Sequence, residues 1–232
     1  MTIKAIIPAR EFLYLTRFAS TEETRFYLNG VHIEPMGDHV AMVATDGHVL
    51  GALKLESHEA RANGANFILS SCKELVRAAK GKKNEYVYLV CRETQVDVVR
   101  MGSSVADIAE LESVTPDISI PAKTAYVDGA FPDWRKVLPE GDAVPRQGKH
   151  KTDVDYCVGL NPTVLANFAG MGDSPRVSFD WNGDNAILVA NADPRFIGVI
   201  MPHKHGETAA GIKARRGQFF AAVPTVTAQA AE

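Results

Sequence analysis

The chain has 232 residues, 46% of them hydrophobic and 23% charged, with a formal net charge of −3. A chain of this length and mix buries a sizeable core without disulfides or metals, and the small negative charge excludes a wholly basic nucleic-acid binder, although not a basic lining inside an acidic surface. The three cysteines, Cys72, Cys91 and Cys157, are far apart and form no C-x-x-C pair, which argues against a disulfide framework or zinc site and fits a reducing compartment.

The start, MTIKAIIPAREF, lacks the apolar core and small-residue cleavage site of a secretion signal. No apolar run approaches the roughly 20 residues that span a membrane, so a cytoplasmic protein is expected. In the first unit, Lys4 to Ile7 reads as a strand. Pro8 suits the entry of a helix over 9–19, with Phe12, Leu15 and Ala19 on one face. Strands follow at Arg25 to Glu34, His39 to Thr45 and His48 to Leu55, the last two joined by the turn signal Asp46-Gly47.

The second unit repeats the order. Phe67 to Ser70 is a strand, Ser70 or Ser71 a helix cap, and the helix runs to Lys80. Strands at Glu85 to Arg92 and Gln95 to Met101 follow, then an irregular stretch, Gly102 to Pro121, with the character of an insertion, then a strand at Ala122 to Asp128. After a polar linker over 141–153, the third unit has a strand at Tyr156 to Leu160 and a helix opened by Asn161-Pro162 and running to Ala169. Arg176 to Trp181 alternates with Val177, Phe179 and Trp181 on one face. The turn Asn182-Gly183 leads into strands at Ala186 to Asn191 and Phe196 to Met201. The Ala- and Thr-rich tail over 207–232 is expected to be partly disordered. Three β-α-β-β-β units define an α+β chain with its helices on one sheet face, and its edge strands invite pairing within or between chains.

Four strings in this order, RFYLNG at 25–30, VATDGH at 43–48, VDGAFPDWRKVLP at 127–139 and VIMP at 199–202, resemble the bacterial DNA polymerase III beta subunit family, the sliding clamps. The resemblance covers that family's middle domain over residues 1–140 and the second half of its third domain over 154–206. It implies a DNA-clamp-like fold. The family's first domain and the first half of its third have no counterpart in this sequence, so the family's ring-closing surfaces are not present as such. A ring of the family's size would need about four chains of three units each.

The resemblance implies a groove for short apolar linear motifs of polymerases and clamp-loader-type proteins. It maps onto Leu28, Thr45, Gly47, His48 and Leu50, onto Pro132, Lys136 and Val137, and onto Val199, Met201 and Pro202. Aliphatic side chains with a methionine make an adaptable apolar groove, and a glycine lets a peptide approach the backbone. Val49 stands where the family usually has arginine and His203 where methionine is common, so partner preference is expected to differ. Taken one by one, the same residues also fit ordinary core and turn roles.

Lys73, Arg77 and Lys80 recur at helical spacing, Lys82 and Lys83 extend the stripe, and Arg10 and Arg17 lie on the first helix. Such a face holds duplex phosphates without reading sequence, or is simply solvated. Phe26 and Tyr27 match aromatic positions near the family's DNA-contacting loop, although Glu22 and Glu23 beside them repel phosphate. The helix over 162–169 carries no basic residue. Asp46 with His48 is the only candidate base and orienter, and no nucleophile or phosphate loop accompanies it. His203-x-His205 lacks a third metal ligand. No enzyme and no cofactor is expected. The expectation is a homo-oligomeric processivity factor on duplex DNA, or a clamp-like adaptor or decoy that binds the same motifs without encircling DNA. A hydrolase using His48 is the third reading.

Overall fold

A computed structural model describes residues 2–138, 159–169, 176–180, 186–202 and 214. Outside them fall the linker over 141–153, Tyr156 to Val158 of the expected third-unit strand, Trp181, the Asn182-Gly183 turn, His203, His205 and all but one residue of the tail.

Strand β1 (Ile3–Pro8) runs straight into helix α1 (Ala9–Leu15), with Pro8 as the extended N-cap. The helix stops at Leu15 and does not reach 19. Thr16 Oγ1 folds back to donate to the Leu13 carbonyl at 2.7 Å, and the Arg17 and Phe18 amides close tight turns onto Tyr14 and Leu15. The expected strand from Arg25 also starts later. Residues Glu23–Leu28 form a 3-10 helix kinked at Arg25, and the loop is closed by the Ser20 amide on the Leu28 carbonyl and by Asn29 Nδ2 on the Glu22 carbonyl.

Strands β2 (Gly30–Met36), β3 (His39–Thr45) and β4 (Val49–Glu56) form the meander, followed by the short β5 (Arg61–Ala62). The second unit has β6 (Phe67–Ser70), α2 (Lys73–Ala79), β7 (Tyr86–Arg92), β8 (Gln95–Met101) and β9 (Ile118–Pro121). It closes with α3 (Ala122–Ala125) and β10 (Tyr126–Val127). The cap of α2 is Cys72, without a side-chain bond. Ser70 Oγ instead accepts from the Cys72 amide, and the Ser71 hydroxyl donates to the Asn29 carbonyl, tying the helix entry to the first unit.

The stretch from Gly102 to Pro121 is not a featureless insertion. It contains a 3-10 helix, Ile108–Glu112, capped by Asp107, and then β9. Ile108 and Leu111 bury against Ile6, Tyr88, Val90 and Val99 and so cover the outer face of one sheet. The strand expected from Ala122 to Asp128 is a single helical turn with only two strand residues after it. Buried Ala125 anchors that turn, and the Ala122 amide is taken by the Thr94 carbonyl.

The third unit contains α4 (Pro162–Leu165), which tightens into a 3-10 turn over Ala166–Phe168, and strands β11 (Val177–Asp180), β12 (Ile187–Asn191) and β13 (Phe196–Ile200). Asn161 caps α4 through the Thr163 amide at 2.9 Å.

Two sheets result, ordered β5-β1-β7-β8-β9 and β10-β6-β2-β3-β4-β13-β12-β11. The first two units are interlocked. Leading strand β1 leaves its own meander and pairs with β7, Ile7 opposite Leu89, while β6 crosses back to β2, Leu69 opposite Val31. Their helices α1 and α2 pack on each other. Strict alternation sorts the faces. Val40, Met42 and Ala44 of β3, and Val87, Leu89 and Cys91 of β7, join one core with Phe12, Leu15, Leu75 and Ala78 of the helices.

The third unit docks edge-on, β13 antiparallel to β4 with Gly198 opposite Gly51. A Cβ on Gly51 would lie 2.8 Å from the Phe18 ring, and one on Gly198 would lie 2.4 Å from the Phe168 ring. The paired glycines make the floor on which Phe18 and Phe168 meet edge to face at 5.1 Å between centroids. Arg195 fastens the same joint. It donates to Asp193, reaches Glu11 at 3.4 Å and pairs with Glu59, while its carbonyl accepts from the Lys54 amide.

Candidate peptide groove and basic face

The β3–β4 turn starts the groove. Gly47 has φ +91, and Asp46 Oδ1 accepts from the amides of His48 (2.7 Å) and Val49 (2.8 Å). Thr45 Oγ1 donates to the Val49 carbonyl at 2.7 Å and accepts from the Gly47 amide. One oxygen of the Asp46 carboxylate is thus engaged with the turn's own backbone, the ordinary role of an aspartate at this turn position. The Met201 amide donates to the His48 carbonyl at 2.8 Å, holding the end of β13 beside the turn. Arg25 lies against Gly47, where a Cβ would come within 2.5 Å of its guanidinium, and Glu22 holds Arg25 through two hydrogen bonds of 2.8 and 2.6 Å.

The other wall is the segment from Phe131 to Leu138, folded across the outer face of β2, β3 and β4. Residues Trp134–Val137 form a 3-10 helix. With three residues per turn, Trp134 and Val137 share a face and Lys136 points elsewhere. Trp134 Nε1 and the Arg135 guanidinium both donate to Glu34 Oε2 at 3.1 Å, and the guanidinium lies 4.5 Å over the Trp134 ring. His32, buried in β2, stacks on Phe131 at 4.6 Å between ring centres. Burial holds the His32 pKa below its ordinary value, and nearby Arg135 adds to that against the opposing pull of Glu34. For Glu34 burial alone would raise the pKa, but its hydrogen bonds from Trp134 and Arg135 and the Arg135 charge outweigh it, so the group stays below the usual carboxylate range.

Between these walls lies an apolar cavity of about 160 Å³. Leu28 comes from the 3-10 helix before β2, Thr45 from the end of β3, Gly47 and His48 from the turn, and Leu50 from β4. Pro132 and Val137 line it from the covering segment, and Val199 and Met201 from the third unit. Its floor is a small cluster of Val43, Leu50, Ala52 and Val199. Lys136 is exposed, pairs with Asp133 at 3.4 Å and does not line the cavity; nor does half-buried Pro202. Val49, noted in the sequence for its departure from the family's arginine, also lines it, and Asp133 and Trp134 line it without having been singled out there. For Trp134 the signal was available in its one-turn spacing from Val137. Met201 and Val137 are 46% and 47% exposed, leaving an apolar rim open to solvent.

On the helix side, Arg10, Arg17 and Lys82 border an open cavity of about 330 Å³ between α1 and the end of α2. Arg17 donates to the Ala169 carbonyl at 2.6 Å. Lys73, Arg77, Lys80 and Lys83 are exposed but outside that cavity. Phe26 and Tyr27 stack edge to face at 5.9 Å beside Gly129 and do not join the basic residues. Among the described residues no cluster of metal-binding side chains occurs, and no helix is long and apolar enough to cross a membrane.

Comparison with known proteins agrees with this architecture. The "Beta sliding clamp" of Caulobacter vibrioides strain NA1000 is 31% identical over 139 residues, covering 55% of this chain and 32% of the relative. The chain thus matches about a third of the length of such relatives. A crystal structure of the DNA polymerase sliding clamp from Pseudomonas aeruginosa superposes with a TM-score of 0.55 at 18% identity, over 87% of this chain and 66% of that one. A sliding clamp from Bartonella birtlesii bound to griselimycin gives 0.56 at 20% identity, over 87% and 66%. The family model for the DNA polymerase III beta subunit central domain matches residues 9–133. That is more than half of the sequence and runs from α1 through the second unit to Asp133 of the covering segment, so the chain belongs to the DNA polymerase III beta subunit, or sliding-clamp, family.

Proposed function

We propose that this chain is a non-enzymatic, clamp-type tether whose groove takes an extended apolar peptide from a DNA polymerase or clamp-loader-type partner while its basic face follows duplex DNA. The observation that carries the reading is the convergence of Leu28, Leu50, Val137, Val199 and Met201, from three separate parts of the chain, on one solvent-open apolar cavity. An extended peptide anchors alternate side chains in such a site, and the polarisable Met201 adapts to differing partners. Exposed Lys82, Arg10 and Arg17 supply phosphate contacts that are weak and sequence-independent, as a sliding contact requires. Tethering then raises the partner's concentration at the template without new contacts to it.

Fluorescence anisotropy with a labelled extended peptide carrying leucine at alternate positions tests the groove. Met201→Asp is expected to weaken binding by about tenfold or more, since a carboxylate replaces an apolar wall; unchanged binding would sink the groove. A clamp-like adaptor that never encircles DNA is the second reading. It is favoured by the described residues holding one interlocked pair of units and only one further unit. Retention on nicked circular DNA with loss from the linear form supports the tether. Equal loss from both supports the adaptor.

A further inference from the structure

We infer that Glu34, which lies outside the groove, is the positioning residue of the Trp134 wall and confines the cavity to apolar peptide side chains. The inference rests on the groove reading above and names what the groove selects. Alternation along β2 sends Val31 and Ile33 into the core and leaves His32 and Glu34 on the outer face, under the segment from Phe131 to Leu138. Glu34 does not line the cavity. It acts on it through Trp134, which does.

The wall needs such an anchor. The 3-10 helix Trp134–Val137 buries none of its residues, and its cap, Asp133, makes no side-chain cap bond. Phe131, Trp134 and Leu138 pack on the floor cluster while only half-buried. Apolar contact of this kind is non-directional and leaves the rotation of the indole open. Among the described residues, the side-chain hydrogen bonds that tie residues 131–138 to the sheet end on Glu34 and Met36 of β2. Glu34 Oε2 accepts from Trp134 Nε1 and from Arg135, each at 3.1 Å, and Met36 Sδ accepts from Arg135 at 3.6 Å. The bond at the ring's edge and the guanidinium 4.5 Å over its face together fix the indole.

The same bond decides what the cavity accepts. With its N–H given to Glu34, the indole presents only ring carbon to the cavity. The other polar lining is committed as well. Thr45 Oγ1 donates to the Val49 carbonyl and accepts from the Gly47 amide, and Asp133 pairs with Lys136 at 3.4 Å. His48 is exposed at the turn, and the floor is Val43, Leu50, Ala52 and Val199. A polar side chain entering there gives up water and finds no partner, whereas a leucine loses nothing. Without the Glu34 oxygen the indole N–H is unpaired and the ring is free to turn it toward the cavity. That spoils the wall for leucine and offers a polar side chain a donor.

Fluorescence anisotropy on the full chain tests this with a labelled extended peptide carrying leucine at alternate positions, and with asparagine, its near-isostere, replacing each leucine in turn. The wild-type chain should prefer leucine at the anchoring position by about tenfold or more. Glu34→Leu should weaken the leucine peptide about tenfold and narrow that preference, with circular dichroism kept. Glu34→Gln keeps an oxygen for the indole proton and should stay within about threefold of wild type. In a Trp134→Phe background, which has no N–H to hold, Glu34→Leu should add no further loss. In a Trp181→Phe background, Glu34→Leu should shift Trp134 emission and raise its quenching by acrylamide, and Glu34→Gln should do neither. A folded Glu34→Leu chain with wild-type affinity and emission would overturn the inference, as would an equal loss in the Trp134→Phe background. A wild-type chain that binds the leucine and asparagine peptides equally overturns it without any variant and leaves the groove standing. A wild-type chain that binds neither overturns the groove itself, and this inference with it.

Discussion

The first two units and the third are built from one pattern, yet they are held in different ways. The first two exchange leading strands and pack helix on helix, so each is incomplete without the other. The third shares their core and is attached through one strand edge, an aromatic cluster on a glycine floor, Arg195 paired with Glu11 and Glu59, and hydrogen bonds from Tyr14 and Arg17 to the Phe168 and Ala169 carbonyls. Interlocking ties the first two units by a strand exchange and a helix pair, whereas the third shares their core but joins their sheet at one strand edge, and it is expected to open before they do. The groove is assembled across that weaker joint, since Val199 and Met201 come from the third unit and the remaining lining from the first two and their covering segment. Peptide affinity should therefore follow the integrity of the joint.

The change expected to break the contrast most sharply is Phe168→Ala. Phe168 is fully buried between Phe18 and Phe196, and its removal should cost about 3–5 kcal/mol. Hydrogen exchange should show β12 and β13 losing protection while β7 and β8 keep theirs. Equal loss in both regions would mean that the whole chain unfolds as one body. Arg195→Met is expected to have a smaller effect of the same kind, about 2–3 kcal/mol, discounted because Arg195 is partly exposed. Most of that cost comes from leaving Glu11 buried without its cation; burial already raises the Glu11 pKa against the pull of Arg195. Glu11→Gln in the Arg195→Met background should recover part of the loss in thermal melts.

The smallest effect concerns the covering segment. Burial lowers the His32 pKa from its ordinary 6.5, so the unfolded chain takes up the proton first. The stability contributed by neutral His32 is complete above that value and is lost as pH falls below it. Trp134 fluorescence in a Trp181→Phe background should report loosening of residues 131–138 as pH falls below the ordinary histidine value of 6.5, together with weaker peptide binding. His32→Phe should flatten that part of the titration, and an unchanged profile would show that the His32–Phe131 stack does not hold the wall.

Local chemistry was legible in the sequence wherever a short stretch settles its own conformation. Asp46-Gly47 makes its turn from its own carboxylate and a positive φ, Asn161-Pro162 starts its helix, and the apolar runs mark β3 and β7 as strands. The candidate groove positions came instead from the resemblance of four short strings, and of those positions all but Lys136 and Pro202 line one cavity. The 3-10 helix at Glu23–Leu28 was hidden because its apolar residues, Phe26, Tyr27 and Leu28, resemble a strand until the Ser20 and Asn29 hydrogen bonds close the loop. The one-turn α3 was hidden behind an apolar run in the same way. By itself the sequence determined the units, their turns and their apolar faces, because these depend on neighbours a few residues away. Only the tertiary structure decided that β1 crosses to β7, that Gly51 faces Gly198 and that Trp134 walls the groove, because each depends on backbone edges brought together from distant parts of the chain.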